Sequence, residues 1–218
     1  MERTIRVTGT GKVSIKPDIT VIPITQTKVC LLYEEALKCA ADDKEDLSRA
    51  LIEIGFKKKD IKTTYFDIDS EYEYYTDSDD NRKRRFVGYK YTHKMKLRFK
   101  NDNKVLGRVL YAIANSSGTP EFSIEYTTSK PEKAKNLILQ KAVEDSKKKA
   151  EIMTKAAGVT LGDVLLIDYS WGEVTFSNRP VRDFQLDDLC LAAKPIDMDI
   201  EPDDIDGEDT VTVVWSIK

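Results

Sequence analysis

Two neighbouring segments alternate in side-chain character residue by residue, and this alternation limits the possible folds more than any other feature of the chain. In Ile61–Tyr75, Phe66, Ile68, Tyr72 and Tyr74 alternate with Asp67, Asp69, Glu71 and Glu73. In Phe86–Phe99, Tyr89, Tyr91, His93, Met95, Leu97 and Phe99 alternate with Lys90, Thr92, Lys94, Lys96 and Arg98. A period of two sends successive side chains to opposite faces of a strand, so both segments read as half-buried β-strands. One outer row is acidic and the other basic. Antiparallel pairing sets these rows against each other, and each cross-strand pair contributes about 0.2–1 kcal/mol, enough to fix register without dominating stability. The connection Thr76–Arg85, TDSDDNRKRR, reads as a polar, exposed loop.

The remaining elements follow from the same periodicities. Ile5, Val7, Gly9, Gly11, Val13 and Ile15 mark a first strand, and the β-branched run Ile19–Thr27 a second. Leu31–Ile54 lacks Gly and Pro; Tyr33, Ala36, Leu37, Ala40, Leu47, Leu51 and Ile54 form a helical stripe broken at Lys44. Asp102 is placed to cap a helix that ends near Gly118. Glu121–Thr128 reads as a strand. Ser129-Lys130-Pro131-Glu132 resembles a capping box with proline in the first turn, opening a long helix to Ala157. Asp163–Tyr169 and Thr210–Ile217 read as strands, with an irregular acidic stretch at about 170–209 between them. Gly55 and Gly158 each follow a long helix, and each has an aspartate five residues later at the start of a strand. This is the pattern of a Schellman-type stop and a return strand. The fold class expected is α+β: a mostly antiparallel mixed sheet with two long helices and one shorter helix packed on one face.

At 218 residues the chain can bury roughly 70% of its unfolded surface, so a single domain over 1–218 needs neither disulfides nor a structural metal. No apolar run approaches the ~18–20 residues of a transmembrane helix. Cys30, Cys39 and Cys190 are odd in number with no paired spacing, and read as free thiols. Met1–Val7 has no apolar leader core, so the sequence as it stands suits the cytoplasm, or the periplasm or cell envelope if a signal peptide has been removed. Residues 183–209 hold eleven acids and one base, Lys194, a segment charge of −10 that leaves +7 on the rest of a chain of net charge −3. A basic body with an acidic late segment suits contact within or between copies better than a nucleic-acid footprint.

Four short patterns invite chemistry. Gly9-Thr10-Gly11-Lys12 suggests a phosphate loop, but Ser14 stands where a dinucleotide fingerprint needs its third glycine, and Arg6 and Val13 break the P-loop spacing. A bulge or close backbone crossing is the preferred use. Asp204-Ile205-Asp206-Gly207 suggests a calcium loop, but Pro202 and Val213 occupy required acidic positions. His93 is the sole imidazole, on the apolar side of its strand with no assignable nucleophile; it reads as a core or interface histidine. Arg82-Lys83-Arg84-Arg85 follows Asp77, Asp79 and Asp80 and reads as a hairpin tip with internal ion pairs.

Taken in order, Val7-Thr8-Gly9-Thr10-Gly11, Pro17-Asp18, Gly55, Asp60-Ile61, Thr63, Tyr72, Gly88-Tyr89, Ala142, Asp145, Lys149-Ala150, Ala156, Gly158 and Leu161-Gly162-Asp163-Val164 resemble the SIMPL-domain family across nearly the whole chain. That family takes its name from a signalling molecule associated with a pelle-like kinase, and its bacterial members include periplasmic or outer-membrane immunogenic proteins. The resemblance implies an α+β fold, assembly into oligomers and a role tied to stress tolerance or signalling scaffolds. It supplies no catalytic, cofactor or metal residues. The functional expectation is a non-enzymatic scaffold that forms homo-oligomers, with a possible protein partner, no nucleic acid and no transmembrane segment. Two alternatives stay open: a small-ligand-binding protein or hydrolase using His93 with carboxylates of 183–209, and nucleic-acid binding through Arg82–Arg85.

Overall fold

A computed structural model describes residues 3–76, 78, 80–169, 174–178 and 200–218. In chain order the elements are β1 (Thr4–Ile15), β2 (Ile19–Cys30), α1 (Tyr33–Glu53), β3 (Ile61–Thr76), β4 (Arg82–Lys100), α2 (Asn103–Ala114), β5 (Glu121–Phe122), β6 (Glu125–Thr127), α3 (Pro131–Ala156), β7 (Leu161–Asp168), β8 (Ser177–Asn178) and β9 (Ile205–Ile217). The class is α+β, as expected: the pairings described are antiparallel, with helices of 21, 12 and 26 residues. The chain divides into two compact units. One carries the described residues of Met1–Asp18, Thr127–Asn178 and Pro202–Lys218, the other those of Ile19–Tyr126 and Arg179–Glu201.

The first unit is a three-stranded sheet, β1-β9-β7, with α3 on the β1–β9 pair. β1 and β9 stay in one register from Thr4↔Ser216 to Ile15↔Ile205. Val7, Val211, Val213 and Trp215 pack against Ala142 and Ala150 of α3, and Val13, Ile205 and Phe176 against Ala134 and Ile138. The final strand begins at Ile205, five residues before the expected Thr210. Asp206, Gly207, Glu208 and Asp209 are poor strand formers, but β1 supplies partners: Ser14 Oγ donates to Asp206 at 2.7 Å, and Lys12 pairs with Glu208 at 2.8 Å. Long-range pairing overrides local propensity there.

α3 begins without the expected capping box. Its N-cap is Lys130, with no side-chain cap, and Ser129 donates its main-chain N–H and hydroxyl to Asp18 instead. Pro131 does occupy the first turn.

The second unit is built on the strand order β3-β4-β2-β6, with β5 beside β2. α1 and α2 pack together, and Ile22, Ile24, Met95 and Leu97 of the sheet bury against Leu47, Leu51, Leu106, Leu110 and Ile113. Asp102 caps α2 as expected, accepting from the N–H groups of Lys104 and Val105 at 2.8 and 3.1 Å. The helix stops at Ala114, before Gly118. The expected strand Glu121–Thr128 is two short strands, β5 and β6. The sequence echo at the helix ends holds. Gly55 and Gly158 have φ of +109° and +68°, and the next residues, Phe56 and Val159, donate back to Leu51 and Thr154 in the Schellman pattern.

Candidate functional site

The glycine motif of β1 is a backbone crossing. A Cβ on Gly9 would lie 1.9 Å from the Ala142 carbonyl oxygen, and one on Gly11 1.9 Å from that of Ile138. The space a phosphate would need is filled by the backbone of α3. Close approach also lets α3 reach the outer edge of β1. Lys149 Nζ donates to Thr8 O at 3.4 Å, Thr10 N–H donates to Asp145 at 2.8 Å, and Lys141 Nζ donates to Lys12 O at 3.0 Å. Thr8, Thr10 and Lys12 are alternate residues, so these bonds block one edge of the sheet with side chains. Lys149 holds the Asp145 carboxyl below its usual range, with the Thr10 N–H adding to the effect.

Among the described residues β7 has β9 on one side and no strand on the other. Val164, Leu165, Leu166 and Ile167 are 44%, 44%, 55% and 54% exposed, so both faces of this strand present apolar side chains. Native sheets normally cover, charge or shorten such an edge. The sequence marks Asp163–Tyr169 as a strand; what it does not mark is that α3 lies mainly over β1 and β9 and, among the described residues, leaves much of β7 exposed.

In the second unit β3 and β4 pair as the expected antiparallel hairpin, but the charged rows meet only in part: Asp67 faces Thr92 and Asp69 faces Lys90, while Glu71 faces Gly88, Lys94 faces Tyr65 and Lys96 faces Lys62. Phe66 faces His93, Ile68 faces Tyr91 and Glu73 faces Arg85. A bulge at Val87 shifts β4 by one residue, which puts Tyr72 opposite Phe86 and lets Arg85 form an ion pair with Glu73. β2 ends opposite Tyr89, so residues 70–76 and 82–88 continue as a two-stranded ribbon. Arg82–Arg85 is therefore part of a strand and not of the expected loop. Arg82 stacks over Tyr74 at 5.0 Å and Arg84 over Tyr72 at 4.8 Å. The internal partners of the basic run include Glu73 and two tyrosines; Asp77 and Asp79 lie outside the described residues.

His93 is buried, 2.9 Å from the Thr63 hydroxyl through Nε2 and edge-on to Phe66. Its Nδ1 and the Oε1 of Gln26, its cross-strand partner, are both buried without a hydrogen bond. Burial, then the nearby Lys44 ammonium, hold its imidazole below the ordinary value of 6.5. The folded state thus keeps His93 neutral where the unfolded chain takes up a proton. Stability contributed by the neutral form is complete above about pH 6.5 and is lost as pH falls through the folded-state value. Chemical unfolding at pH 7.5 and pH 5 should show the wild type losing stability on acidification by at most ~1.4 kcal/mol per pH unit from this group. His93→Gln should remove that part of the slope.

Beside His93, α1 buries an aspartate that the helical stripe did not include. Asp43 is 6% exposed and accepts from the Tyr91 hydroxyl at 2.5 Å and from the Ser117 hydroxyl at 3.4 Å. Its main-chain oxygen accepts from Gln26 Nε2 at 3.1 Å. Burial, then Asp43, push the Tyr91 phenol far above its ordinary value. This is a sealed polar strut between helix and sheet, built from Asp43, Tyr91, Ser117 and Gln26.

The carboxylates of 183–199 that a His93 hydrolase would recruit lie outside the described residues, as does Cys190. Asp204 and Asp206 both point to Ser14 Oγ, and Gly207 faces Phe176, so the suspected calcium loop is the start of a strand. Among the described residues no three His, Cys, Asp or Glu side chains group as metal ligands, and no helix is long and apolar enough to cross a membrane.

The profile of SIMPL, a protein family of unknown function (DUF541), matches residues 5–215. The chain is 24% identical over 166 residues to the 26 kDa periplasmic immunogenic proteins of Brucella abortus (strain S19) and of Brucella melitensis biotype 1. The match covers 75% of this chain and 65% of each relative.

Proposed function

The chain belongs to the SIMPL family, and from that premise we propose that it works as a non-enzymatic, self-assembling interaction module whose contact between copies is the open edge of β7. The observation that carries this reading is the difference between the two edges of the β1-β9-β7 sheet. α3 occupies the main-chain groups of one edge with Lys141, Asp145 and Lys149, while the other exposes four consecutive large apolar residues. Covering these half-exposed side chains stabilises a contact by about 1 kcal/mol each. A strand of a second copy also supplies the missing main-chain partners. The sealed settings of His93 and Asp43 support structural roles for both. The compartment in the name of the Brucella relatives supports a periplasmic setting over a cytoplasmic one.

The test is native mass. Wild-type chain at tens of micromolar, measured by sedimentation velocity, should run as an oligomer. The double variant Leu165→Lys/Leu166→Lys places a charge on each face of β7 and should run at single-chain mass with unchanged circular dichroism. A single-chain wild type, or a double variant that keeps the oligomer mass, would refute the proposal.

A further inference from the structure

We propose that Cys30 and Cys39 are a redox pair that closes to an intramolecular disulfide between the end of β2 and the second turn of α1, a modification site independent of the β7 contact. The placement comes from the fold. Cys30 is the last residue of β2 and shares a side of that strand with Ile22, Ile24 and Gln26, the row that faces α1. Cys39 lies one helical turn before Asp43, whose main-chain oxygen is bonded to Gln26, so the same strand and helix are already tied together next to the pair. Burial, then the neighbouring Cys39 thiol, push the Cys30 thiol up. Each is free and half-buried, hence open to a small oxidant while still held by the fold. A bridge from Cys30 to Cys39 closes a short loop of ten residues counted inclusively, and a bridged loop constrains the unfolded chain.

The loop so closed carries three consecutive exposed apolar residues. Leu31, Leu32 and Tyr33 are 74%, 60% and 48% exposed. In the dithiol form this turn is held by the Glu35 contact to the Leu32 N–H at 3.3 Å and by Tyr33 packing edge-on to Tyr89. The disulfide adds a covalent clamp across it, so oxidation fixes the presentation of an apolar knob.

The chemistry needs a disulfide oxidant such as oxidised glutathione. A thiolate of the pair attacks one glutathione sulfur; the glutathione disulfide breaks and one glutathione thiolate leaves. The second cysteine then loses its proton and displaces the other glutathione from the mixed disulfide. Two cysteine thiols become one disulfide, and one oxidised glutathione becomes two reduced ones.

The experiment uses the full chain carrying Cys190→Ser, folded, with excess oxidised glutathione. The expected product has no free thiol, no retained glutathione and a mass lower by two hydrogens. Its unfolding midpoint rises by several degrees, and dithiothreitol reverses the rise. In the same background Cys39→Ser should stop at a single glutathione adduct. Trypsin cuts after Lys28, Lys38 and Lys44, so in the wild-type chain the bridge appears as two joined peptides, which frees the test from the Cys190 replacement. Stable double glutathionylation, chain-to-chain disulfides, or thiols that stay unreacted in the folded protein would each overturn the proposal.

Discussion

Gly9→Ala and Gly11→Ala should each destroy the fold of the β1-β9-β7 unit. In both, the new methyl group would meet main-chain atoms of α3: the Ala142 oxygen at 1.9 Å and Ser146 nitrogen at 2.4 Å for Gly9, the Ile138 oxygen at 1.9 Å for Gly11. Ordinary overpacking costs about 1–3 kcal/mol because neighbouring side chains shift. Here the neighbour is helix backbone, pinned by buried Ala142 and Ala150 and by the Thr10–Asp145 hydrogen bond. Relief requires lifting α3 off the sheet, and the expected loss is about 4 kcal/mol or more, at the extreme of single substitutions and close to the whole stability of a small unit. Urea unfolding followed by fluorescence of the buried Trp215 reads this directly. Gly158→Ala is the control. Its Cβ would meet nothing within 4 Å and its φ is +68°, so it should cost only the ~1–2 kcal/mol of a left-handed non-glycine residue. If Gly9→Ala cost no more than Gly158→Ala, the close crossing would be wrong.

Asp43→Ala should be the most damaging polar substitution in the second unit, at about 3 kcal/mol. It strips the fully buried Tyr91 hydroxyl of its acceptor and leaves a void under α1. Tyr91→Phe should cost about 2 kcal/mol, since it leaves a buried carboxylate with the longer Ser117 contact at 3.4 Å as its remaining side-chain donor. Because each single variant orphans the other group, the double variant Asp43→Ala/Tyr91→Phe should cost clearly less than the sum, with a coupling of at least ~1 kcal/mol in thermal or urea unfolding. Strict additivity would mean that the two side chains do not act as one strut.

The fold was legible where a single local rule governs a long segment. The hairpin rows follow from period-two alternation, and the structure sets Asp69 against Lys90 and Glu73 against Arg85. The helix stops follow from glycine's tolerance of positive φ. The Gly-Thr-Gly stretch was legible as a close crossing, because two glycines in a strand pattern leave room for backbone, and α3 takes that room. What stayed hidden depends on partners distant in sequence. Ile205–Asp209 looks irregular until β1 supplies Lys12 and Ser14. Asp43 looks solvated until Tyr91 and Ser117 are placed against it, although its spacing from Ala36, Ala40, Leu47 and Leu51 puts it on the buried face of α1. Ser129 looks like a cap until Asp18 claims its hydroxyl. The bare edge of β7 is the hardest to foresee. The pattern marks Val164–Ile167 as part of a strand, but its exposure follows from α3 lying mainly over β1 and β9.

Amide hydrogen exchange of the wild-type chain across a concentration series tests self-contact through β7 most directly. If β7 is the contact, the amides of Val164–Ile167 slow as concentration rises, while those of Thr8, Thr10 and Lys12 on the blocked edge keep one rate throughout. Exchange in β7 that stays equally fast from the most dilute sample to the most concentrated would contradict it.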